Sequence, residues 1–149
     1  VDYMRREHNL LIGERSAERV KIEVGSALTE LDDGPADYEI RGRDLMTGIP
    51  KTIKISYSEI AFALDKSVSK LEEAVLKALE TSPPELSADI YERGIYLTGG
   101  GALLRGLDRR LALKTKLPIH VADDPLRAVV RGTGQTLKNI QQFRAVLMT

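Results

Sequence analysis

The stretch that decides the fold of this chain is Gly94-Ile95-Tyr96-Leu97-Thr98-Gly99-Gly100-Gly101-Ala102-Leu103-Leu104-Arg105-Gly106-Leu107. Residues 95–97 form a short apolar run that is typical of a buried strand. From Ala102 onward the leucines have helical spacing, so a helix is predicted there. The three glycines between strand and helix let the backbone approach a ligand closely. Their N–H groups, together with the helix N-terminus, favour an anion or a polar ligand.

These glycines have two interpretations. A tight turn that needs a positive φ requires only one glycine, whereas three in a row favour a loop that faces a ligand. The loop is not a Walker A phosphate loop, because Gly106 is followed by Leu107 and Asp108. A dinucleotide fingerprint fits poorly, because Leu104 occupies the position of its third glycine. The loop is therefore predicted to touch a nucleotide or a sugar without a lysine that grips phosphate.

Four stretches of the chain resemble one protein family. The run Leu97–Asp108, which contains the glycines, closely resembles the adenosine-side loop of the MreB family of bacterial actin homologues. The other three stretches, in the order of that family, are Asn9–Lys21, Ile40–Ile53 and Pro83–Ile90. The glycine loop alone is typical of the wider superfamily of actins, sugar kinases and DnaK-type chaperones. The four stretches together are typical of MreB-like proteins, and the chain resembles roughly their C-terminal half.

The resemblance implies a fold and a function. The fold is of the α/β class, the C-terminal half of an actin-like ATPase (ribonuclease H-like), with a small α+β lobe packed on an incomplete α/β lobe. We expect residues 1–66 to form the small lobe and residues 67–149 to form part of the larger, nucleotide-binding lobe. The implied function is that of a bacterial actin, which binds ATP and polymerises into filaments that organise cell-wall synthesis and rod shape. An actin-fold sugar kinase or a DnaK-type chaperone ATPase is the alternative.

The resemblance also implies partners, a cofactor and a location. The partners are further copies of the chain in a filament, the cell-wall elongation machinery, and the membrane through the family's N-terminal half. The filaments are cytoplasmic and membrane-associated, and the cofactor is ATP. In the family, the phosphate-binding hairpins, the catalytic carboxylates and the Mg²⁺ site precede the position of Val1. We therefore expect a fragment of a longer protein, with no catalytic residue and no metal ligand, that does not hydrolyse ATP alone.

Composition narrows the function classes. A chain of 149 residues with 42% hydrophobic residues suits one ordinary domain or two small lobes with a packed core. The 22 basic and 22 acidic residues give a net charge of +0, which argues against a nucleic-acid partner attracted by bulk charge. The chain has 0 cysteines, so it contains neither disulfides nor thiolate metal sites. No apolar run has the length of a membrane span.

The first part of the chain is predicted to alternate helices and strands. An opening helix is followed by a linker at Asn9–Gly13. The segment Glu14–Gly25 fits a helix or an alternating strand, and its acidic start and glycine end favour the helix. Residues 38–56 form a hairpin. Ser56 and Glu59 then form a capping box that begins a long helix.

The second part is predicted to contain two strand–helix units. The long helix is interrupted at Asp65–Ser67, where the lobes divide, and a short helix restarts with Ser82 as its N-cap. After the glycine loop, a helix runs to about residue 116 and a second strand covers Ile119–Ala122. Asp123 and Asp124 form an acidic helix cap rather than a metal site. Residues 132–134 then break the last helical region before a terminal helix from residue 135.

The candidate site combines a helix with the glycine loop. Glu18 and Lys21 are three residues apart, which places them on one helical face. The spacing alone also fits a solvated surface pair. The resemblance implies that this helix lies over the adenosine, that Glu18 and Lys21 form hydrogen bonds with it, and that Ala17 and Val20 pack against the base. The residues expected to line the site are Ala17, Glu18, Arg19, Val20, Lys21, Gly99, Gly100, Gly101 and Ala102.

The hairpin has an apolar tip, Leu45–Pro50. Hairpin tips are usually polar, so exposed apolar residues there indicate a partner surface. The alternative is that the tip folds back onto its own lobe. In MreB-like filaments the small lobe meets the next subunit, and the resemblance therefore implies a longitudinal contact through Leu45, Met46 and Ile49.

Overall fold

The computed structural model describes residues 1–144, which contain six α-helices and five β-strands. The helices are α1 (Asp2–His8), α2 (Glu14–Val24), α3 (Tyr57–Glu80), α4 (Pro84–Arg93), α5 (Leu107–Thr115) and α6 (Ala128–Lys138). The strands are β1 (Leu10–Leu11), β2 (Tyr38–Asp44), β3 (Pro50–Ile55), β4 (Ile95–Leu97) and β5 (Ile119–Val121). The predicted α/β class is confirmed. Residues 145–149 of the predicted terminal helix lie outside the described residues.

The first sheet is antiparallel, in the order β1-β2-β3. Its β2–β3 pair is the predicted hairpin, with Tyr38 opposite Ile55. Alternate residues of a strand point to opposite faces, so one face of the sheet is buried. On that face Ile40 and Ile55 pack in a core with Met4 of α1 and Val20 of α2. The ambiguous segment 14–25 is therefore a helix, as favoured, because it covers a sheet rather than extending one.

Helix α3 runs through both parts of the chain without a break. The predicted interruption at Asp65–Ser67 is wrong, because the helical spacing of apolar residues continues and Val68 is buried. Leu64 packs against both hydrophobic cores. The predicted lobe division at residue 66 falls inside this helix and stays a prediction. Neither α3 nor any other helix within residues 1–144 combines the length and the apolar composition of a membrane span.

The second sheet consists of the parallel strands β4 and β5, with Ile95 opposite Ile119. Both strands were predicted, and the connection between them includes α5, as a parallel pair requires. The second core contains the buried side chains Ala27, Val68, Leu107 and Leu111. Strand β4 is covered on one face only, since the side chain of Tyr96 is 65% exposed. The strand is present as predicted, but its predicted burial is wrong for the face that carries Tyr96.

Two predicted boundaries move. The supposed linker Asn9–Gly13 contains β1, whose Leu10 is opposite Asp44 and fully buried. The helix after the glycines begins at Leu107 instead of Ala102, because residues 100–103 form a 3₁₀ turn. Gly106, with φ of 72°, separates this turn from α5.

The capping box at the start of α3 forms only in half. The Ser56 hydroxyl oxygen accepts a hydrogen bond from the Glu59 N–H at 3.3 Å, as predicted. The Glu59 carboxylate does not return to Ser56, because it accepts a hydrogen bond from the Tyr3 hydroxyl at 3.2 Å and also contacts His8. Burial, and then the charge of this carboxylate, raise the pKa of Tyr3. Glu59 thus attaches α1 to α3.

The residues predicted to begin or interrupt the later helices, α4 and α6, do not have those roles in the structure. Ser82 donates its hydroxyl hydrogen bond to the Ala78 carbonyl at 2.8 Å, so Pro83 takes the cap position of α4. Helix α6 continues through residues 132–134 without the predicted break. Asp124 does not cap α6, because Arg127 occupies the cap position and pairs with Asp124 at 2.7 Å.

Candidate functional site

Helix α2 presents three of the predicted site residues, Glu18, Arg19 and Lys21, to solvent. Val20 is 4% exposed and packs in the first core, and Ala17 is half-buried against the same core. Glu18 and Lys21 are exposed. Ala17 and Val20 also line the cavity that Lys21 borders, so their expected packing against a base stays a prediction. Among the predicted residues of this helix, polar contacts can therefore come from Glu18, Arg19 and Lys21.

The structure separates Arg19 from Lys21. Lys21 borders a cavity of about 320 Å³ that is also lined by residues of α1 and α3. Arg19, with Ser16, borders a different cavity of about 300 Å³ beside β2. Successive residues of a helix are rotated by about 100°, so positions two apart lie on different flanks. Of the five consecutive residues predicted for the site, Ala17, Val20 and Lys21 thus line one cavity, and Arg19 lines the other.

The glycine loop offers two free backbone donors. Gly99 has φ of 81° and ψ of 176°, a conformation that is essentially restricted to glycine. Its N–H donates to the Pro125 carbonyl at 2.7 Å, which fixes the start of the loop. Gly100 and Gly101 are exposed, and their N–H groups have no acceptor among residues 1–144. Two exposed N–H donors side by side are suited to an anion or a polar group.

The space around the loop differs from glycine to glycine. A Cβ atom added at Gly101 would have no neighbour within 4 Å, and one at Gly100 would lie 3.4 Å from Leu126 Cδ2. Ala102 is buried and holds the loop to the body of the protein. The loop therefore has a fixed base and an open outer side, on which a ligand could lie.

Arg105, directly after this loop, holds the C-terminal end of α2. Its guanidinium donates to the carbonyl of Glu23 at 2.8 Å and to that of Ile22 at 3.3 Å. Its own carbonyl accepts from the Ala27 N–H at 2.8 Å. A cation at the last carbonyls of a helix is favourable for the helix dipole. The glycine loop and α2, the two predicted walls of the site, are thus joined through one residue that sequence reasoning missed.

A second arginine joins α5 to α3. Arg110 donates to Glu72 at 2.7 Å and to the Ala27 carbonyl at 3.0 Å, and it pairs with Asp65 at 2.8 Å. The hydrogen bond with Glu72 is the main cause of a raised Arg110 pKa. Glu72 is buried, so this pair is shielded from water. Asp65 and Glu72 are seven residues apart, so they lie two turns apart on one face of α3. This spacing is the feature of the sequence from which a shared basic partner could have been predicted.

The hairpin tip is exposed and locally rigid. Leu45, Met46 and Ile49 are 41%, 78% and 63% exposed, so the alternative in which they fold back onto the lobe is wrong. The Asp44 carboxylate accepts from the backbone N–H groups of Met46 and Thr47, at 2.8 and 3.1 Å. These two bonds, with Lys51, lower the pKa of Asp44. The tip therefore displays apolar side chains from a preorganised turn.

Comparisons with known proteins agree with the resemblance. The family model described as MreB/Mbl protein matches residues 1–145. The chain is 46% identical over 143 residues to the cell shape-determining protein Mbl of Bacillus subtilis, a match that covers 96% of this chain and 42% of the relative. It is 48% identical over 140 residues to the cell shape-determining protein MreB of Escherichia coli, covering 94% of this chain and 40% of the relative. The chain thus spans less than half of these curated relatives.

Solved structures are also similar. The crystal structure of MreB5 of Spiroplasma citri bound to ADP has a TM-score of 0.87 and 39% identity, covering 95% of this chain and 42% of the other. The MamK double helical filament has a TM-score of 0.62 and 19% identity, covering 83% of this chain and 37% of the other, and it shows the fold alone. The actin-like fold predicted from the sequence is therefore confirmed.

Proposed function

The chain belongs to the MreB/Mbl family, and we propose on that premise that it supplies the adenosine side of an ATP site and one face of a filament contact. The whole protein would then be a cell shape-determining bacterial actin whose ATP-dependent filaments lie under the membrane and organise cell-wall synthesis. Mg²⁺ and the phosphates would be held outside this chain. The family assignment favours this function over an actin-fold sugar kinase or a DnaK-type chaperone.

The exposed pair of N–H groups at Gly100 and Gly101 is the observation that carries the ATP proposal. The loop is held at Gly99 and Ala102, and Arg105 ties it to α2, so the hydrogen bonds that join the two walls are already formed without a ligand. Preorganised donors bind a polar ligand at a low entropic cost. The structural relative MreB5 was solved bound to ADP and also to AMPPNP.

Replacing Glu18 with alanine is expected to weaken ATP binding to the whole protein by about 1–2 kcal/mol, the effect of lost hydrogen bonds to the nucleoside. Isothermal titration with ATP measures the change. Glu23→Ala is the matched control, because Glu23 is an exposed glutamate on the other flank of the same helix. Equal affinities of the wild type and Glu18→Ala would remove Glu18 from the site.

The filament proposal rests on the exposed tip. Three apolar side chains at the end of a rigid hairpin form a small surface that loses water readily against a complementary surface. In the family, the small lobe meets the next subunit along the filament. We place the contact at Leu45, Met46 and Ile49, and the cell-wall machinery and membrane would be contacted by the assembled filament.

The variant Ile49→Asp is expected to raise the protein concentration needed for ATP-dependent polymerisation by about tenfold or more, because a carboxylate must lose water in an apolar contact. Light scattering after addition of ATP reports the threshold, and titration calorimetry should show unchanged ATP affinity. Thr52→Asp adds the same charge to an exposed position of β3 outside the tip. A normal threshold for Ile49→Asp would exclude this residue from the contact.

A further inference from the structure

Strand β2 has an open edge. On one side it pairs with β3 over Tyr38–Arg43, but on the other side β1 covers only Arg43 and Asp44. Strand β1 ends there because the chain turns away into α2, which starts at Glu14. The first half of β2 therefore lacks a hydrogen-bonded strand on its outer side within residues 1–144.

The direction of the free backbone groups follows from two hydrogen bonds. The Asp44 N–H donates to the Ile49 carbonyl on the β3 side at 2.9 Å, and the Leu45 N–H donates to the Asn9 carbonyl on the β1 side at 2.8 Å. In an antiparallel sheet these directions alternate along a strand. The N–H and C=O groups of Glu39 and Arg41 hence point out of the sheet at the open edge. In the described part of the chain they have no hydrogen-bond partner.

The side chains at this edge are complementary to themselves. Glu39 and Arg41 are exposed on the outer face of the sheet, while Ile40 between them is buried. Neither charged side chain forms an ion pair with another residue of the range 1–144. An edge with charges of one sign would repel its own copy. Here a two-fold axis through Ile40 would place the negative Glu39 of one copy opposite the positive Arg41 of the other.

We propose that this edge pairs with the same edge of a second copy of the chain. In the antiparallel register centred on Ile40, Glu39 lies opposite Arg41 of the second copy, and the reverse pair forms across the axis. Both positions carry edge-facing backbone groups, so the two pairs make four backbone hydrogen bonds and two cross-strand ion pairs. The cavity of about 300 Å³ between α2 and Tyr38–Arg41 leaves room beside the strand. Such a contact is isologous and closed.

This contact uses neither the glycine loop nor the hairpin tip, although Arg19, which was predicted for the ATP site, borders the same cavity. Its backbone groups belong to the start of β2, whereas the tip follows the end of that strand. A two-fold contact joins two copies, and the tip would add copies end to end. Pairing at the β2 edge should therefore persist in buffer without nucleotide, which separates it experimentally from polymerisation.

Disulfide formation between two single-cysteine variants tests the register. The chain has 0 cysteines, so variants of the whole protein can be prepared without other thiols in this part. Opposite residues of a hydrogen-bonded pair have Cα atoms about 5.5 Å apart, within the range of a disulfide. A mixture of Glu39→Cys and Arg41→Cys should form cross-linked dimers in nucleotide-free buffer, and neither variant should do so alone. Thr52→Cys mixed with Lys54→Cys, on neighbouring β3, is the control.

Charge reversal provides a second measurement that needs no cysteine. Glu39→Arg and Arg41→Glu should each weaken dimerisation about tenfold in sedimentation experiments, because each creates two like-charged pairs. The double variant Glu39→Arg/Arg41→Glu should restore it. Cross-linking no stronger than in the β3 control, cross-linking of either single variant alone, or failure of the double variant to restore the dimer would overturn the proposal.

Discussion

The variant Gly100→Asp is expected to abolish ATP binding by the whole protein. The new side chain would project from the exposed loop, where Gly100 and Gly101 present their free N–H groups, and its Cβ atom would already approach Leu126 Cδ2 at 3.4 Å. The carboxylate would take the place proposed for the nucleoside and would stand near a nucleotide that is itself negatively charged. A charge that the bound nucleoside would cover without giving it a partner costs several kcal/mol, so affinity should fall by about a hundredfold or more.

Titration calorimetry with ATP measures this loss, and circular dichroism shows whether the variant is folded. Gly132→Asp is the matched control. It introduces the same charge at an exposed glycine whose Cβ atom would meet nothing within 4 Å. Wild-type affinity in a folded Gly100→Asp protein would contradict the assignment of the glycine loop to the nucleotide.

Replacing Arg110 with methionine is expected to lower the free energy of unfolding by about 3–5 kcal/mol, because Glu72 is left as a buried charge without its partner. Methionine keeps most of the side-chain length, so the effect reports the charge rather than a cavity. Denaturation with urea, followed by circular dichroism, measures the midpoint. The variant also frees the Ala27 carbonyl, which is held by Arg110 at 3.0 Å.

The neighbouring arginine is a strict control. Arg109 pairs with Asp32 at 3.4 Å, and the side chains of this pair are 57% and 96% exposed. Exposed pairs contribute little to stability, so Arg109→Met should change the free energy of unfolding by less than about 1 kcal/mol. Similar effects of the two replacements would mean that the buried pair is not what stabilises the junction of α3 and α5.

Local patterns predicted most of the secondary structure. Strand β4, the glycine loop, the hairpin and α2 are each defined by residues close together in the sequence, so periodicity and turn residues were sufficient. The break predicted at residues 132–134 was wrong because a glycine costs a helix only about 1 kcal/mol. Strand β1 was missed because two residues are too few to show alternation.

The sequence predicted the helix and the glycine loop of the candidate site, but it did not predict the hydrogen bonds that join them. Helical periodicity could have separated Arg19 from Glu18 and Lys21, since it depends only on spacing. No local pattern could have paired Arg105 with the carbonyls of Ile22 and Glu23, because such a contact requires the tertiary fold. The positive φ of Gly99 could have been predicted from the sequence, since it is the usual reason for glycine in a turn. That the N–H groups of Gly100 and Gly101 have no acceptor within residues 1–144 could be learned only from the structure.

The attachment of α2 by Arg105 also has a consequence for the order of folding. The Ser26–Arg105 bridge joins residues 79 positions apart. On the ribosome, domains generally begin to fold from the N-terminal side as they emerge. The sheet β1-β2-β3 and the helices that cover it can assemble early, but the last turn of α2 must wait for Arg105 to be synthesised. We therefore expect a nascent chain that ends before the glycine loop to expose Ala27 and the unsatisfied carbonyls of α2 to chaperones and proteases.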